Sequence, residues 1–489
     1  MRQPFRSNRS TLFLIPLLAG NLIAMAGCAV GPNYKRPAVS VPGAYRGTVT
    51  NEPSAKAPAS PDPNARESHE SSPASLGDEK WWEVFQDQEL QNLIRTALKN
   101  NYDVRIAATR VLQAQAQLRI TRADQLPTLS AGGNITSQRD PKIGPIPSFE
   151  LTQGETTATA SWELDFWGKY RRATEAARAT LLANEWAQKE VTATLVADLA
   201  SAYFQLRQLD LELEISKRTL TSRQDSLELT QTLEKVGTDT LLDVRQSEQL
   251  VYTAGAEVPD LERQIAQEEN AISILLGNNP GEVARGLKLT EQPHAPEVPV
   301  GLPSSLLERR PDIRAAEQNL IAANARIGVA RAAYFPQISL TGTAGFESSA
   351  LTNLFTSPAG IWNLAGSLTQ PIFEGGRLKS NVRLAEAQHE EMLLTYQQTI
   401  QGAFRDVSNA LVAYRKNREF RIQQEHLVEA AQDAAHLSEL RFKAGTADYL
   451  EVLTNETNSF SAELTLAQAQ GNELTALVQL YLALGGGWQ

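Results

Sequence analysis

The sequence predicts an α+β membrane protein in which long α-helical hairpins are combined with four β-strands. Three observations support this class. The chain contains two very long helix-favouring runs, it contains short stretches in which apolar and polar residues alternate, and many residues recur about 208 positions further on. Together they indicate a protomer built by tandem repetition of one plan.

The first long run extends from Lys169 to Val236 and contains neither glycine nor proline. Ala, Leu, Glu, Gln and Arg dominate it, and these residues lose little free energy on entering a helix. One helix of this length would measure roughly 100 Å, far more than an average globular helix. A second run, Arg377 to Ala444, is interrupted only by Gly402. Two such rods indicate a coiled assembly, a spacer or a tube.

Alternating stretches follow a helix-favouring segment in each half of the chain. Ala158, Ala160, Trp162 and Leu164, for example, alternate with polar residues. A period of two predicts strands with one apolar and one polar face. The strands are predicted at about 128–138, 156–166, 337–347 and 361–370.

The repetition sets the expected domain boundaries. Lys443-Ala444-Gly445-Thr446 follows Lys235-Val236-Gly237-Thr238 at a spacing of 208. The predicted parts are a first repeat (78–280), an inter-repeat linker (281–303), a second repeat (304–485) and a C-terminal tail (486–489).

Each repeat is expected to contain one helical hairpin. The first pairs a long helix, 169–236, with a return helix, 241–276, and the second pairs 377–444 with 449–484. Pro259 lies inside the first return helix, where proline predicts a kink.

Four strands of about ten residues cannot close a barrel, and a membrane-spanning sheet must close with eight or more strands. Two chains would supply eight strands and three chains twelve. The sequence therefore predicts an oligomer, and composition does not choose between these two states.

The N-terminus predicts a secretory signal. Basic residues precede an apolar run, Leu12 to Ala26, which is short for a membrane span and contains Pro16. It resembles a bacterial lipoprotein signal, with 1–27 removed and lipid, such as palmitate, attached to Cys28. Residues 28–77 would then form an acylated N-terminus followed by a Pro/Ser/Ala-rich linker.

Composition argues against other classes of protein. The formal net charge is −10, whereas nucleic-acid binding calls for a basic footprint. Cys28 is the only cysteine, and the five histidines show no metal-ligand spacing. The glycines at 375–376 and 485–487 lack the spacing of a phosphate loop. We therefore expect no cofactor, no metal, no nucleic acid and no enzymatic activity.

One long segment, residues 302–342, resembles the second-repeat signature of the TolC/OprM-type outer-membrane efflux channels. The Cys28 motif suggests their NodT-like lipoprotein branch. Five further motifs match in the family's order: CAVGPNYKRP (28–37), WWEVFQD (81–87), SWELDFWGK (161–169), PIFEGGR (371–377) and LALGGGW (482–488).

This resemblance implies a homotrimer in the outer membrane of a Gram-negative bacterium, with a twelve-stranded β-barrel continued by a twelve-column α-helical barrel in the periplasm. It implies a passive exit duct for drugs or other small molecules, a role in antibiotic resistance, and outer-membrane lipid around the barrel. The implied protein partners are a periplasmic adaptor (membrane fusion) protein and an inner-membrane RND-type pump. A periplasm-spanning tether lipoprotein without a pore is the alternative, although a tether does not need four alternating strands.

The resemblance also assigns roles to the two hairpin tips. Leu242 and Leu450 are expected at the narrowest point of a periplasmic gate, with Gln246 and Thr454 four residues further on. Relatives often carry Asp at the Thr454 position. The residues expected to meet the adaptor are Gly237, Thr238, Asp239, Gly445, Thr446 and Asp448.

Aromatic residues in the strands are expected at the membrane interface, where barrels carry aromatic girdles. They are Trp162, Phe346 and Trp362. Ordinary packing within the strand hairpins is the alternative explanation.

Overall fold

The computed structural model describes residues 29–45, 75–293, 298–299, 301 and 303–488. The predicted signal peptide, Cys28 and most of the Pro/Ser/Ala-rich linker lie outside these residues. No helix within the described ranges is both long enough and apolar enough to cross a membrane.

The two halves of the chain contain the same order of major elements: helix, two strands, long helix, return helix. The first half contains α1 (Trp81–Val84), α2 (Gln88–Asn100), α3 (Tyr102–Ala123), β1 (Thr128–Asp140), β2 (Phe149–Leu164), α4 (Lys169–Lys235) and α5 (Leu241–Leu275). The second half contains α6 (Pro303–Arg309), α7 (Pro311–Ala332), β3 (Gln337–Ser348), β4 (Gly360–Thr369), α8 (Arg377–Lys443) and α9 (Tyr449–Ala483).

The long helices follow from the absence of residues that would break them. Helices α4 and α8 contain 67 residues each, and each ends one residue before its predicted end. The return helices α5 and α9 contain 35 residues each, and α5 continues through Pro259.

The second strand departs most from expectation. We predicted 156–166, but β2 begins at Phe149, because residues 149–155 continue the ladder with 134–140 of β1. The alternation changes phase there, since Phe149 and Leu151 share a face with the polar residues further along the strand. At the other end, the Phe166 N–H bonds the Leu164 carbonyl at 3.0 Å, so a turn replaces the last predicted strand residues.

The four strands form one antiparallel sheet in the order β1-β2-β3-β4. Trp162 lies opposite Leu340, and Ala344 lies opposite Trp362. Because neighbouring strands pair at each step, β1 and β4 are the two edges of this sheet. Neither edge is paired within the described residues.

The described residues form two compact units. One comprises the described part of Met1–Ala38 with Arg110–Asn184 and Ala315–Tyr396, and it contains the sheet. The other comprises the described parts of Val39–Thr109, Glu185–Arg314 and Gln397–Gln489, and it contains the loops between long and return helices.

The buried carboxylate of Asp87 organises part of the second unit. It caps α2 by accepting from the Glu89 N–H at 2.9 Å. It also accepts from the Tyr203 hydroxyl, the Gln292 amide and the Leu287 N–H, each at 2.9 Å. Burial alone would raise the pKa of Asp87, but the hydrogen bonds from Gln292 and Tyr203 outweigh burial and lower it. One carboxylate thus holds the segment after α5 against α2 and α4.

Candidate functional site

The first hairpin tip is a loop closed by a glycine in the left-handed conformation. Gly237 has φ +83° and follows the end of α4. The Thr238 N–H bonds the Leu233 carbonyl and the Gly237 N–H bonds the Glu234 carbonyl, both at 2.9 Å. This pair of bonds is a Schellman motif, which satisfies the last carbonyls of a helix.

The second tip repeats this geometry at the end of α8. Gly445 has φ +72°. The Thr446 N–H bonds the Arg441 carbonyl at 2.9 Å, and the Gly445 N–H bonds the Phe442 carbonyl at 2.8 Å. A Cβ at Gly237 or Gly445 would meet nothing within 4 Å. Both positions therefore need glycine for its backbone conformation and not for space.

The two return helices begin differently. In α5, Thr240 and Asp243 form a capping box: the Thr240 N–H bonds Asp243 Oδ2 at 2.9 Å and the Asp243 N–H bonds Thr240 Oγ1 at 3.4 Å. In α9, Asp448 occupies the N-cap position without a side-chain cap bond. Glu451, the counterpart of Asp243, forms an ion pair with Arg441 of α8.

Asp239, one of the predicted tip residues, has a perturbed carboxyl group. Its Oδ2 atom is buried and has no hydrogen-bond partner among the described residues. Burial, together with the nearby charge of Asp243, raises the pKa of Asp239. The two carboxylates of this tip are therefore electrostatically coupled.

The hairpins meet just beyond the tips through Tyr449, which is not among the residues predicted from the sequence. Its ring lies 5.2 Å from the ring of Phe442 and packs with Val452 and Leu453. Its hydroxyl accepts a hydrogen bond from Ser247 of α5. The sequence contains a sign that this position is special, because Tyr449 stands 208 positions after Leu241, its counterpart in the first half, and differs from it.

The predicted gate leucines lie outside this buried cluster. Leu242 is 64% exposed and Leu450 is 61% exposed. Thr454 is exposed, and its hydroxyl donates to the Leu450 carbonyl at 2.8 Å, while Gln246 is half-buried. Their positions at a constriction remain a prediction.

The register of the sheet gathers the predicted aromatic residues on one face. Trp162, Phe346 and Trp362 share it with Leu129, Ile135, Leu340, Leu364 and Leu368. Trp362 is 81% exposed, and Trp162 donates from Nε1 to the Gln125 carbonyl at 3.0 Å. The opposite face carries Ser161, Glu163, Ser339 and Asn363. The sheet therefore has an exposed apolar face and a polar face.

The segment that follows Cys28, predicted as an acylated N-terminus, makes specific contacts with the fold. Residues 29–36, the N-terminal strap, lie against α4 and α7. The Val30 N–H bonds the Trp167 carbonyl at 3.0 Å, and the Asn324 amide donates to the Pro32 carbonyl at 3.0 Å. Its large number of specific contacts sets the strap apart from a solvated linker.

The sheet has an exposed apolar face and two open strand edges, and it is joined to twinned helical hairpins. These are the features expected of the class of membrane proteins whose strands lie in a lipid bilayer. The family model described as outer membrane efflux protein matches residues 93–278 and 302–486. The chain belongs to this outer membrane efflux protein family.

Similar proteins extend over nearly the whole chain. The toluene efflux pump outer membrane protein TtgC of Pseudomonas putida is 37% identical, covering 96% of this chain and 95% of the relative. The cation efflux system protein CusC of Escherichia coli is 33% identical, covering 96% and 97% respectively. The open-state structure of the Neisseria gonorrhoeae MtrE outer membrane channel superposes with a TM-score of 0.82 at 32% identity, covering 94% of this chain and 99% of that structure. The chain is an efflux duct of the Gram-negative outer membrane.

Proposed function

We propose that three copies of the chain associate through their sheet edges, β1 of one copy beside β4 of the next, and close a twelve-stranded barrel. The open edges support this proposal, because an unpaired strand edge cannot remain within hydrocarbon. Two copies would also close a sheet, and the family resemblance favours three. The native mass of the detergent-solubilised protein tests the count, since a dimer would contradict it.

The helical hairpins would continue this barrel as a tunnel of twelve columns that reaches into the periplasm. The combined length of α3 and α5 equals the combined length of α7 and α9, because each pair consists of one helix of 22 residues and one of 35 residues. Each pair could thus form a column beside one long helix. We also propose that the chain is a tandem repeat with the boundaries 78–280 and 304–485. The family model supports this proposal, because it matches one range in each half of the chain.

The register of the sheet is the observation that supports its orientation between lipid and lumen. All three predicted membrane aromatics share one face, and the apolar residues of that face belong against lipid. The polar face, with Glu163 and Ser339, would then line the lumen.

Cysteine substitution followed by a membrane-impermeant thiol reagent tests this orientation. Cysteines at 163 and 339 should react quickly, and cysteines at 164 and 340 should be protected by lipid. Residues 163 and 164 are sequence neighbours, as are residues 339 and 340, so each comparison is made in a matched local environment. Fast labelling at 164 and 340 with silence at 163 and 339 would reverse the assignment.

The duct would receive its cargo from a periplasmic adaptor that meets the tips and from an RND-type inner-membrane pump. Relatives carry names that refer to toluene and to cations, two chemically opposite cargoes. The same fold therefore serves both, and we infer that the pump selects the cargo while the duct conducts it passively.

Planar-bilayer recording separates this duct from a periplasmic tether. The purified protein should form discrete channels, whereas a tether should form none. Acylation of Cys28 would add a lipid anchor, and the mass of the mature N-terminal peptide tests it. An unmodified Cys28 would contradict the anchor and leave the duct standing.

A further inference from the structure

The N-terminal strap lies in a slot to which both halves of the chain contribute. On the side of the first half, the Trp167 carbonyl accepts a hydrogen bond from the Val30 N–H, and Arg172 of α4 contacts the strap. On the side of the second half, Glu317 and Asn324 of α7 contact it.

Arg172 is the central contact on the first side, and it is buried. Its guanidinium donates to the Val30 carbonyl at 3.3 Å, to the Gly31 carbonyl at 3.4 Å and to Asn33 Oδ1 at 2.7 Å. It is also paired with Glu175 at 2.8 Å. The planar guanidinium thus binds the strap at three atoms in a fixed geometry, which a lysine ammonium cannot reproduce.

Glu317 provides the matching charge on the second side and is also buried. It accepts from the Tyr34 hydroxyl at 3.3 Å and forms an ion pair with Arg36 at 3.0 Å. Burial and the charge of Glu317 raise the pKa of Tyr34, so the phenol remains a hydrogen-bond donor at neutral pH. The two ends of the strap therefore carry complementary polar contacts.

Between these contacts the backbones of the strap and α7 touch. A Cβ at Gly31, which has φ +107°, would lie 2.5 Å from Gly328 Cα. A Cβ at Gly328 would lie 2.7 Å from the Val30 carbonyl oxygen and 2.9 Å from Arg172 Cγ. Only glycine fits at either position, so the slot is shaped to the strap along both walls.

The slot lies beside the junction of β2 and α4. The Trp167 ring stacks on Phe335 at 4.7 Å, and its Nε1 donates to the Pro336 carbonyl at 2.7 Å. The backbone of Trp167 binds the strap, whereas its side chain binds the turn before β3. The strap thereby closes a set of contacts that joins the two strand hairpins.

We propose that the slot is an intramolecular binding site for the strap, and that its occupation reinforces the β2–β3 ladder where the two strand hairpins leave the helices, so that the sheet edges are held ready to assemble. Cys28 directly precedes Ala29, so an acyl group on Cys28 would be covalently joined to the seated strap. The assembly role rests on the oligomer proposed above.

Two variants of the full-length protein disrupt the binding of the strap, one from each wall of the slot. Arg172→Ala deletes its hydrogen bonds, and Gly328→Ala blocks its path. Gly402→Ala in α8 is the matched control, because a Cβ there meets nothing within 4 Å. Hydrogen exchange of the peptide containing Val30 reports occupancy, and native mass reports assembly.

We expect exchange at Val30 to accelerate about tenfold or more in both variants and the assembled fraction to fall, with the control unchanged. Arg172→Lys should behave like Arg172→Ala, because it cannot bind three acceptors in a plane. Unchanged exchange in Arg172→Ala would show that the slot does not hold the strap. Accelerated exchange with normal assembly would overturn the assembly role. A wild-type protein that does not oligomerise would instead contradict the proposed oligomer, while the exchange comparison would still test the slot.

Discussion

Ser247 and Tyr449 share a hydrogen bond between their hydroxyl groups, although 202 positions separate them in the sequence. Ser247 belongs to α5 and Tyr449 begins α9, so this bond joins the two return helices about two turns from the first tip. Both side chains are buried. Burial raises the pKa of Tyr449, which keeps its hydroxyl protonated.

Removing this hydroxyl should loosen the hairpin tips. We expect Tyr449→Phe to weaken the junction by roughly 1 kcal/mol, the usual net worth of a buried hydrogen bond. If the junction holds the duct closed, the open fraction rises about fivefold. Single-channel recording measures this. Tyr252→Phe, which alters a tyrosine that is 72% exposed on α5, is the control. Equal open fractions in both variants would show that the junction is not part of the closure.

The contrast between this junction and the long helices shows which features the sequence encodes locally. Helices α4 and α8 could be predicted because their sequences contain almost nothing that breaks a helix. The tips could be predicted because glycine alone relieves the strain of a positive φ. Ser247 and Tyr449 meet only through tertiary packing, which leaves no short-range pattern.

The contacts of the strap and the start of β2 were not predicted, for different reasons. Residues 29–36 were predicted only as part of an acylated N-terminus, because Gly31 and Pro32 fit a slot formed by residues about 140 and 290 positions away, and such distant contacts leave no local pattern. The start of β2 was missed because Phe149 and Leu151 reverse the alternation. Pairing with β1 extends the strand regardless of that phase.

The first tip should respond to pH through Asp239. Its pKa is raised by burial and by Asp243, so the folded tip favours the protonated carboxyl group. This contribution to stability is fully present below the unfolded-state pKa and is lost as the pH rises through the raised value. Acidification should therefore slow hydrogen exchange of residues 233–245, after correction for intrinsic rates.

Asp239→Asn removes the titrating group and should abolish this dependence while leaving the tip protected at neutral pH. Asp448→Asn is the control, because Asp448 is exposed and makes no side-chain cap bond. A pH response that survives in Asp239→Asn would assign the effect to another group.

Glu155 and Glu347 lie directly opposite each other in the β2–β3 ladder, on the polar face of the sheet. Like charges at such positions destabilise a sheet. No basic residue of the four strands lies on that face. Its acidic residues are Asp140, Glu155, Glu163 and Glu347. Glu163 is compensated from outside the sheet by Lys169 at 3.1 Å. The opposed pair should therefore favour cations in the lumen.

The double variant Glu155→Gln/Glu347→Gln should raise the thermal unfolding midpoint and lower the K⁺/Cl⁻ permeability ratio about twofold or more. The reversal potential in a KCl gradient measures this ratio. Glu150→Gln is the control, because Glu150 lies on the opposite face and pairs with Arg139 at 3.5 Å. A shift in the control as large as in the double variant would mean that the polar face does not line the pore.

The last prediction concerns closure at the tips. Leu242 and Leu450 are exposed in the protomer, so in an assembly of three copies they are free to form an apolar ring. Burying such side chains against each other contributes about 25 cal/mol for every Å² of apolar surface removed from water. The carboxylates nearby have other partners: Asp243 completes the cap of α5, and Glu451 is paired with Arg441.

We therefore expect Leu450→Ala to raise the resting conductance more than Asp448→Asn or Glu451→Gln does. Thr454 and Gln246, four residues after the two leucines, supply no charge at their level, so repulsion between carboxylates there should contribute little. Leu427→Ala is the control, since Leu427 is a half-exposed leucine of α8 far from the tips in sequence. The four variants are recorded at equal protein loading. A larger conductance from either carboxylate change would place the closure on charge and not on the leucine ring.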